Sequence, residues 1–529
     1  MGVLDYIWLG ILAVFQGPEA FTLFGVYVSV TVLMVIAGFL FGILVGATPG
    51  LAGPFAMAIA LPILISVFGF HADALLPVLG FLIGIMKGAT IGGAVPAILF
   101  NTPGTPDAFM TTLDGFPMTQ KGEAKKALRI AHFSSASGDT FSDLVLFVCA
   151  PFLAIIVERY LDLPEKTALL ILSLSFIASV IGGSASKGLI SIGLGLLAVY
   201  IGTGEDFYPR LSLGQQELSN GFPITTAVLG VLIIGAVFKG LDEIWRDKGN
   251  AKIIEAVVPT GDQRLSWPLL KRLFPYISRS AFIGTGIGAL PGVGSTLAAT
   301  LGYTVGRARH RKSKAYGDPN FGEGAPEGIA ATESANSAVS GANLIPVLSL
   351  GIPGNAAAVF LILATDSISG FNPGPSVFRF TADSVNTELV AAFGIFACMV
   401  IANIANWTIG GVFMRSMGFM IRIPKQLLLP AVLLLTLTAI YVQETRMEAI
   451  WFALGFGVLG YVMRILAISP LPFVIAFILG RSLEETARQA YSATGNDPYF
   501  LLNNPIAAVF IMMAIGVVIY SARNRKVAA

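Results

Sequence analysis

Two kinds of Pro-Gly break interrupt the apolar stretches of this chain, and each occurs once in either half. The first kind is Gly46-Ala47-Thr48-Pro49-Gly50 and Gly288-Ala289-Leu290-Pro291-Gly292. The second is Asn101-Thr102-Pro103-Gly104-Thr105-Pro106 and Leu350-Gly351-Ile352-Pro353-Gly354-Asn355. Pro49 and Pro103 are 54 residues apart, Pro291 and Pro353 62. Proline has no N–H and clashes with the preceding turn, so such breaks are costly where no water can reach the freed backbone groups. Matched Gly/Pro interruptions in two halves of an apolar chain point to a transporter, with a substrate site near the bilayer midplane.

Composition sets the class. Of the 529 residues 55% are hydrophobic and only 12% charged, and the mean hydropathy is +0.78. A soluble chain carries about 25% charged residues, so this one belongs in a lipid bilayer. The length accommodates about ten or more spans of roughly 20 residues. A formal net charge of +2 says little about partners, and no nucleic acid is expected among them. Cys149 and Cys398 lie in separate apolar stretches and form neither a disulfide framework nor a metal site. Met1-Gly2-Val3-Leu4-Asp5 lacks the basic start of a signal peptide, and Tyr6 rules out a myristoylation motif. The apolar N-terminal segments are therefore expected to be retained.

Apolar runs predict helices near 22–46, 51–68, 75–100, 141–157, 166–182, 187–202, 224–238, 276–290, 293–305, 334–350, 355–364, 388–413, 426–442, 447–465, 470–480 and 505–521. Several are too short to span alone and flank a Pro-Gly break. Polar connectors fall at 119–129, 203–222, 240–275, 307–330 and 481–504. The expected organisation is an N-terminal transmembrane repeat with additional helices (1–240), a cytoplasmic connector (241–275) and a C-terminal repeat with additional helices (276–529).

No Lys or Arg precedes Lys87. Basic residues then cluster in 119–129, 240–275 and 307–314, which the positive-inside rule places in the cytoplasm together with the tail Arg523-Asn524-Arg525-Lys526. The N-terminus is then periplasmic. Segment 276–306 is flanked by basic connectors, whereas 21–68 is flanked by uncharged or acidic ones, so one half is expected to be the other turned over. The expected fold is an all-α, polytopic membrane protein with two inverted repeats containing broken helices or re-entrant hairpins.

At these motifs the chain resembles the TctA family, the large membrane subunit of the tripartite tricarboxylate transporters. The resemblance rests on Gly88-Ala89-Thr90-Ile91-Gly92-Gly93, Ala97-Ile98-Leu99-Phe100-Asn101-Thr102-Pro103-Gly104 and Leu113-Asp114-Gly115-Phe116-Pro117-Met118 with Lys121-Gly122-Glu123-Ala124. It continues through Gly284-Thr285-Gly286-Ile287-Gly288-Ala289-Leu290-Pro291-Gly292-Val293-Gly294, Phe321-Gly322-Glu323-Gly324, Glu327-Gly328-Ile329-Ala330-Ala331 and Glu333-Ser334-Ala335-Asn336-Ser337-Ala338. Gly351-Ile352-Pro353-Gly354, Gly374-Pro375 and Pro470-Leu471-Pro472 with Leu479-Gly480 and Glu484 complete it. Lys87 departs from the aromatic residue expected before Gly88-Ala89. The resemblance implies a bacterial inner-membrane uptake system for carboxylates, in which a periplasmic solute-binding protein delivers substrate to this subunit and a small four-helix membrane subunit assists. It also implies secondary transport driven by a cation gradient, with Na⁺ or H⁺ as coupling ion and no cofactor.

The breaks supply the candidate substrate site. A half-helix starting at Asn101-Thr102-Pro103-Gly104-Thr105 presents free N–H groups and a positive dipole end to a carboxylate, and Gly351, Pro353, Gly354 and Asn355 repeat the arrangement. Lys87, within an apolar run, is a counter-charge for substrate, the partner of an internal acid such as Asp107, or a cation snorkelling to an interface. Gly46, Pro49, Gly50, Gly288, Pro291 and Gly292 offer backbone carbonyls to a coupling cation. Glu333, with Ser334 and Asn336, is a cation ligand, a proton carrier or a helix cap. Asp114 reads as a turn or cap residue.

An enzyme is not expected. Gly182-Gly183-Ser184-Ala185 only faintly echoes an intramembrane serine protease, and neither His71, His132 nor His310 sits in a partner motif. Metalloprotease and phosphate-loop patterns are absent from the sequence. A passive anion channel is the remaining alternative, but paired breaks favour alternating access.

Overall fold

The computed structural model describes residues 2–23, 26–48, 52–181, 184–203, 209–211, 218–246, 263–290, 294–313, 318–368, 371–378, 385–417 and 425–524. In chain order its first helices are α1 (Val3–Phe15), α2 (Val30–Gly46), α3 (Gly53–Phe68), α4 (Leu75–Phe100), α5 (Phe109–Gln120), α6 (Ala124–Tyr160), α7 (Leu163–Ile181), α8 (Ala185–Tyr200), α9 (Ile224–Leu229) and α10 (Gly235–Arg246). There follow α11 (Trp267–Gly288), α12 (Ser295–Ser313), α13 (Pro326–Ala342), α14 (Leu344–Leu350), α15 (Ala356–Ser367), α16 (Thr387–Ala405) and α17 (Gly411–Ser416). The last are α18 (Lys425–Glu444), α19 (Met447–Ile465), α20 (Leu471–Ala493), α21 (Phe500–Asn503) and α22 (Pro505–Asn524).

Helices dominate, and one expectation is corrected. The run expected as a helix from 22 to 46 begins instead as an antiparallel hairpin, β1 (Glu19–Leu23) against β2 (Val26–Ser29). Aromatic and β-branched residues favour strand there. Ser29 then starts α2 by accepting the Val32 N–H on its hydroxyl at 3.2 Å, an ordinary N-cap.

Five helical stretches among the described residues are long and apolar enough to cross a membrane: Ala72–Phe100, Ala124–Ile156, Ile224–Arg246, Thr387–Ser416 and Met447–Ile465. Shorter apolar helices of 10–17 residues include Val30–Gly46, Gly53–Phe68 and Ala356–Ser367, next to the Pro-Gly breaks. The chain is a multi-pass membrane protein.

Its contacts divide it into two units. The first comprises Met1–Ala154, Gly249–Leu290 and Gly294–Pro424; the second comprises Ile155–Lys248, Pro291–Val293 and Lys425–Ala529. Both draw on both sequence halves.

In the first unit, backbones meet through glycine. Gly38, Gly42 and Gly46 of α2 face Phe81, Ile85 and Ala89 of α4, while Gly84, Gly88 and Gly92 of α4 face α2 in return. A methyl group at Gly42 would lie 2.5 Å from the Ile85 carbonyl oxygen. Between membrane helices the drive to associate comes from such close packing, since lipid tails are as apolar as the side chains. The second half uses the same device: Gly284 of α11 abuts Ala335 of α13, and Gly302 of α12 abuts Ala331. As a result α13 is buried along Glu327–Ala342. Phe39, Ile43, Ile91, Val95, Ile98, Ile277 and Ile329 join both halves in one core.

The second unit packs α8 on α20 through Gly195 against Phe473, and a π-helical turn at Gly230–Ile234 on α19 through Gly460 against Val231. The wide turn loosens its carbonyls, and Arg464 of α19 donates to Val231 O and Leu232 O, both at 2.8 Å. A cavity of about 260 Å³ in this unit is bordered by Tyr200, Arg210, Arg481 and Glu484. Arg210 lies over the Tyr200 ring at 4.4 Å and pairs with Glu484 at 2.9 Å.

Candidate functional site: paired helix ends and a buried polar helix

The two loops of the second kind end their helices in the same way. Five residues after Pro96, Asn101 takes a left-handed conformation (φ 53°) and closes α4; five residues after Pro346, Gly351 (φ 70°) closes α14. The next N–H returns to the proline carbonyl in each case, Thr102 to Pro96 at 3.3 Å and Ile352 to Pro346 at 3.2 Å. Each reaches back six positions, one residue further than the six-to-one bond of a Schellman cap, so the last turn is wide in both loops. The chain then folds against the helix it has just left. Gly104 lies against Gly93 and donates its N–H to the Gly93 carbonyl at 3.2 Å, and Gly354 lies against Asn343, eleven residues upstream in both cases. A helix of 12 residues follows each loop, α5 after a short 3-10 turn and α15 directly, with the Asn355 side chain accepting the Ala358 N–H at 2.9 Å.

The first pair of motifs matches in the same detail. α2 closes with the Ala47 N–H on Ile43 O (2.9 Å) and the Thr48 N–H on Val45 O (2.9 Å). α11 closes with the Ala289 N–H on Thr285 O and the Leu290 N–H on Ile287 O, both at 3.0 Å. Pro49, Gly50, Pro291 and Gly292 lie outside the described residues. The two kinds of break adjoin within the first half, because Gly104 packs on the Gly46 carbonyl. In the second half Gly288 packs on Val339 and Ala342 at the end of α13, and α13 leads directly to Asn343.

Polar atoms are orphaned around these junctions. Thr105 Oγ1, beside Gly93, is buried without a partner; so are both amide atoms of Asn343, both of Asn336, and the hydroxyls of Thr285, Thr332 and Ser337. Buried polar groups normally have partners, so a helix this polar and this deeply buried is suited to meeting a polar ligand. By contrast Asn101 and Thr102 are exposed.

Glu333 is buried and satisfied by hydroxyls. Ser135 of α6 donates to its Oε2 at 3.0 Å, and Thr111 of α5 donates to Oε1. Ser334 points elsewhere, donating to Ile277 O at 2.8 Å. Neighbouring positions on a helix differ by about 100°, so Glu333 and Ser334 face different partners.

Lys87 has an internal acid, but it is not Asp107, which accepts instead from Thr296 Oγ1 at 2.5 Å. Lys87 Nζ is 2.7 Å from Asp139 Oδ1 and 2.8 Å from Asp143 Oδ2, both on α6, and 3.2 Å from Asn403 Oδ1 on α16. Asn403 returns its Nδ2 to Asp143 Oδ2 at 2.7 Å, and Ser340 of α13 donates to Asp139 Oδ1. Sequence reasoning missed Asp139, Asp143, Asn403, Thr111 and Ser135. The signal for the first two was two acids four residues apart at the edge of an apolar run, since intramembrane carboxylates mark function.

Asp114 is a junction rather than a simple turn. Its Oδ1 accepts the N–H groups of Gly322 (2.8 Å), Gly324 (3.0 Å) and Ala325 (2.8 Å), and Gly328 leaves the space its Oδ2 occupies. Burial pushes this carboxyl above the usual carboxylate range against the pull of the three donors. Nearby, Lys121 Nζ donates to Glu323 O at 2.6 Å, and Arg272 pairs with Glu327. No group of three or more metal-ligating side chains occurs among the described residues.

The family profile described as the tripartite tricarboxylate transporter TctA family matches residues 32–475. An uncharacterized 52.8 kDa protein in the TAR-I ttuC' 3' region of Agrobacterium vitis is 31% identical over 500 residues, 93% of this chain and 93% of that protein. An uncharacterized protein in the TAR-II ttuC' 3' region of the same organism is 32% identical over 240 residues, 45% of this chain and 92% of that protein. No solved structure matches the chain.

Proposed function

Because the chain belongs to the TctA family of tripartite tricarboxylate transporters, we propose that it is the permease subunit of a binding-protein-dependent carrier that imports organic carboxylates on a cation gradient. The observation that carries this reading is the equivalence of the helix ends at Asn101 and Gly351, each followed by a glycine folded back on the residue eleven positions earlier. Two like-built breaks in one unit are what two inverted repeats meeting at a substrate would require. Free N–H groups and the dipole of the following helices favour a carboxylate there, with the Thr105 hydroxyl and the Asn343 amide as donors from the protein interior.

In this reading the substrate binds between the loops at Asn101–Thr105 and Gly351–Asn355, and the coupling ion is Na⁺ or H⁺, the carbonyls near Gly46 and Gly288 being the ligands available to Na⁺. α13 lies against both neighbours of its own half, so a shift of α13 changes the second loop through Asn343 and Gly354. A small membrane subunit and a periplasmic binding protein complete the system in a bacterial inner membrane, with the N-terminus periplasmic and the C-terminus cytoplasmic. Two classes of carboxylate, tricarboxylate and dicarboxylate, fit equally well.

The test is uptake by proteoliposomes that hold this chain with its small subunit, supplied with a cognate binding protein and a panel of radiolabelled acids. Saturable accumulation against a gradient, lost without the binding protein, supports the reading. Non-saturating flux that only equilibrates substrate identifies a channel and overturns it.

A further inference from the structure

Lys87 and its two acids form a buried knot of three charged side chains in the first unit, and neither loop uses it. One ammonium group faces two carboxylates, all three from helices long and apolar enough to span a bilayer. The side chains are 0–3% exposed. With both acids ionised the cluster carries one uncompensated negative charge in a medium that solvates charge poorly. One added proton makes it neutral.

The geometry also says where that proton goes. Asp139 Oδ1 is occupied by Lys87 and Ser340, and Asp143 Oδ2 by Lys87 and Asn403. Asp143 Oδ1 is buried and has no partner. It faces α13 at Gly341, where a side-chain carbon would collide with it.

We propose that Lys87, Asp139 and Asp143 form a proton-binding site that couples this carrier to the proton gradient; the inference rests on the carrier reading above. A proton entering from the outer side adds to Asp143 Oδ1, so that the cluster passes from a net charge of −1 to zero, and leaves from the same oxygen to the inner side. Ser340 and Gly341 of α13 cover both carboxylates, and α13 is followed at once by Asn343, on which the second Pro-Gly loop packs. The residue that covers Asp143, Gly341, therefore lies two positions from Asn343, the residue on which the substrate loop packs.

Around the site α4 contributes Lys87, α6 Asp139 and Asp143, α16 the neutral Asn403 and α13 the neutral Ser340. The next buried titratable groups are engaged elsewhere: Glu333 with Thr111 and Ser135, and His132 with Asn406 at 2.9 Å.

The experiment uses the reconstituted complex in Na⁺-free medium with a carboxylate it exchanges. In wild type an inside-alkaline gradient raises accumulation by up to about tenfold per pH unit and coupled proton. D143N fixes the cluster in its neutral form and leaves the Lys87–Asp139 pair, so it is expected to fold, to keep substrate counterflow and to lose the response to the pH gradient. D143E restores the response. Wild-type uptake that follows only a Na⁺ gradient, or an unchanged pH-gradient response in D143N, overturns the proposal. If neither variant reconstitutes, an apolar carbodiimide decides on wild type, since it modifies protonated carboxyls in membranes: modification of Asp143 or Asp139, declining as pH rises, supports the site, and modification of other acids alone overturns it. Absence of counterflow in wild type removes the carrier reading itself, and the carbodiimide result then decides the proton site independently.

Discussion

Asp114 and Ala325 are joined by a 2.8 Å hydrogen bond from the Ala325 N–H to Asp114 Oδ1, across 211 residues of sequence. Two further N–H groups, from Gly322 and Gly324, end on the same oxygen. The bond fastens α5 of the first half to the loop that starts α13 in the second.

Removing that acceptor strands three donors. D114A is expected to lower the unfolding temperature sharply, by the equivalent of about 2–4 kcal/mol for unmade bonds to a buried charged group. D114N retains an acceptor oxygen and is milder. The raised carboxyl pKa has a sign: the folded protein holds this proton more tightly than the unfolded chain, so acid stabilises the junction. Between the raised folded value and the ordinary 3.8, wild type gains stability as pH falls and D114N does not. Thermal unfolding in detergent at stepped pH checks both points.

The glycine seam between α2 and α4 has no room for a methyl group. G38A and G88A are each expected to cost about 1–3 kcal/mol through overpacking or helix separation, whereas G455A, where nothing lies within 4 Å of an added carbon, is neutral. Yield of monodisperse protein and its melting temperature distinguish them. Equal behaviour of G38A and G455A contradicts the packing.

Lys87 pairs with two buried acids. K87M alone leaves both unpaired and is expected to lose about 3–5 kcal/mol, enough to abolish insertion in a marginally stable protein. The triple variant K87M/D139N/D143N removes all three charges and recovers folded protein. Recovery is read by fluorescence-detected size exclusion, and a K87M as stable as wild type excludes the cluster's ionic character.

For the substrate loops the local geometry dictates the choice of variants. Asn101 has φ 53°, so N101A strains the backbone by about 1–2 kcal/mol and N101G does not. Asn355 caps α15, so N355A loses about 1 kcal/mol of cap energy and N355S retains it. N101G and N355S therefore separate binding from folding. Each is expected to weaken substrate about ten- to a hundredfold if its side chain touches a carboxylate, and wild-type kinetics in both move the contact to the backbone and Thr105.

Orientation is read with single cysteines placed in a background lacking Cys149 and Cys398. A72C is expected to react with an impermeant thiol reagent added outside, and R311C only after the membrane is opened; both positions are exposed. Labelling of both from one side contradicts the inverted arrangement.

Helix termination was legible from sequence because it is local stereochemistry. Proline cannot donate, Asn101 and Gly351 tolerate the left-handed region, and the closing bonds to Pro96 and Pro346 reach back only six positions. The apolar runs named the membrane class for the same reason, since lipid forces every backbone group to find a partner within the segment or its neighbours. Strand pairing at Glu19–Ser29 was hidden, because an apolar run of that length reads equally as helix or strand.

What only the tertiary structure decided is which helix faces lie against one another. α2 and α4 are apolar all round, so no periodic stripe in their sequences marks the buried side. Their glycines show it only when the facing backbone is present. Lys87 announced itself as a buried charge, but its partners are 52 and 56 residues away on α6 and 316 away on α16, and Asp107 was as plausible on paper. Electrostatics fixes that a lone ammonium in the bilayer must be paired. Only the packing of α4, α6, α13 and α16 fixes with what.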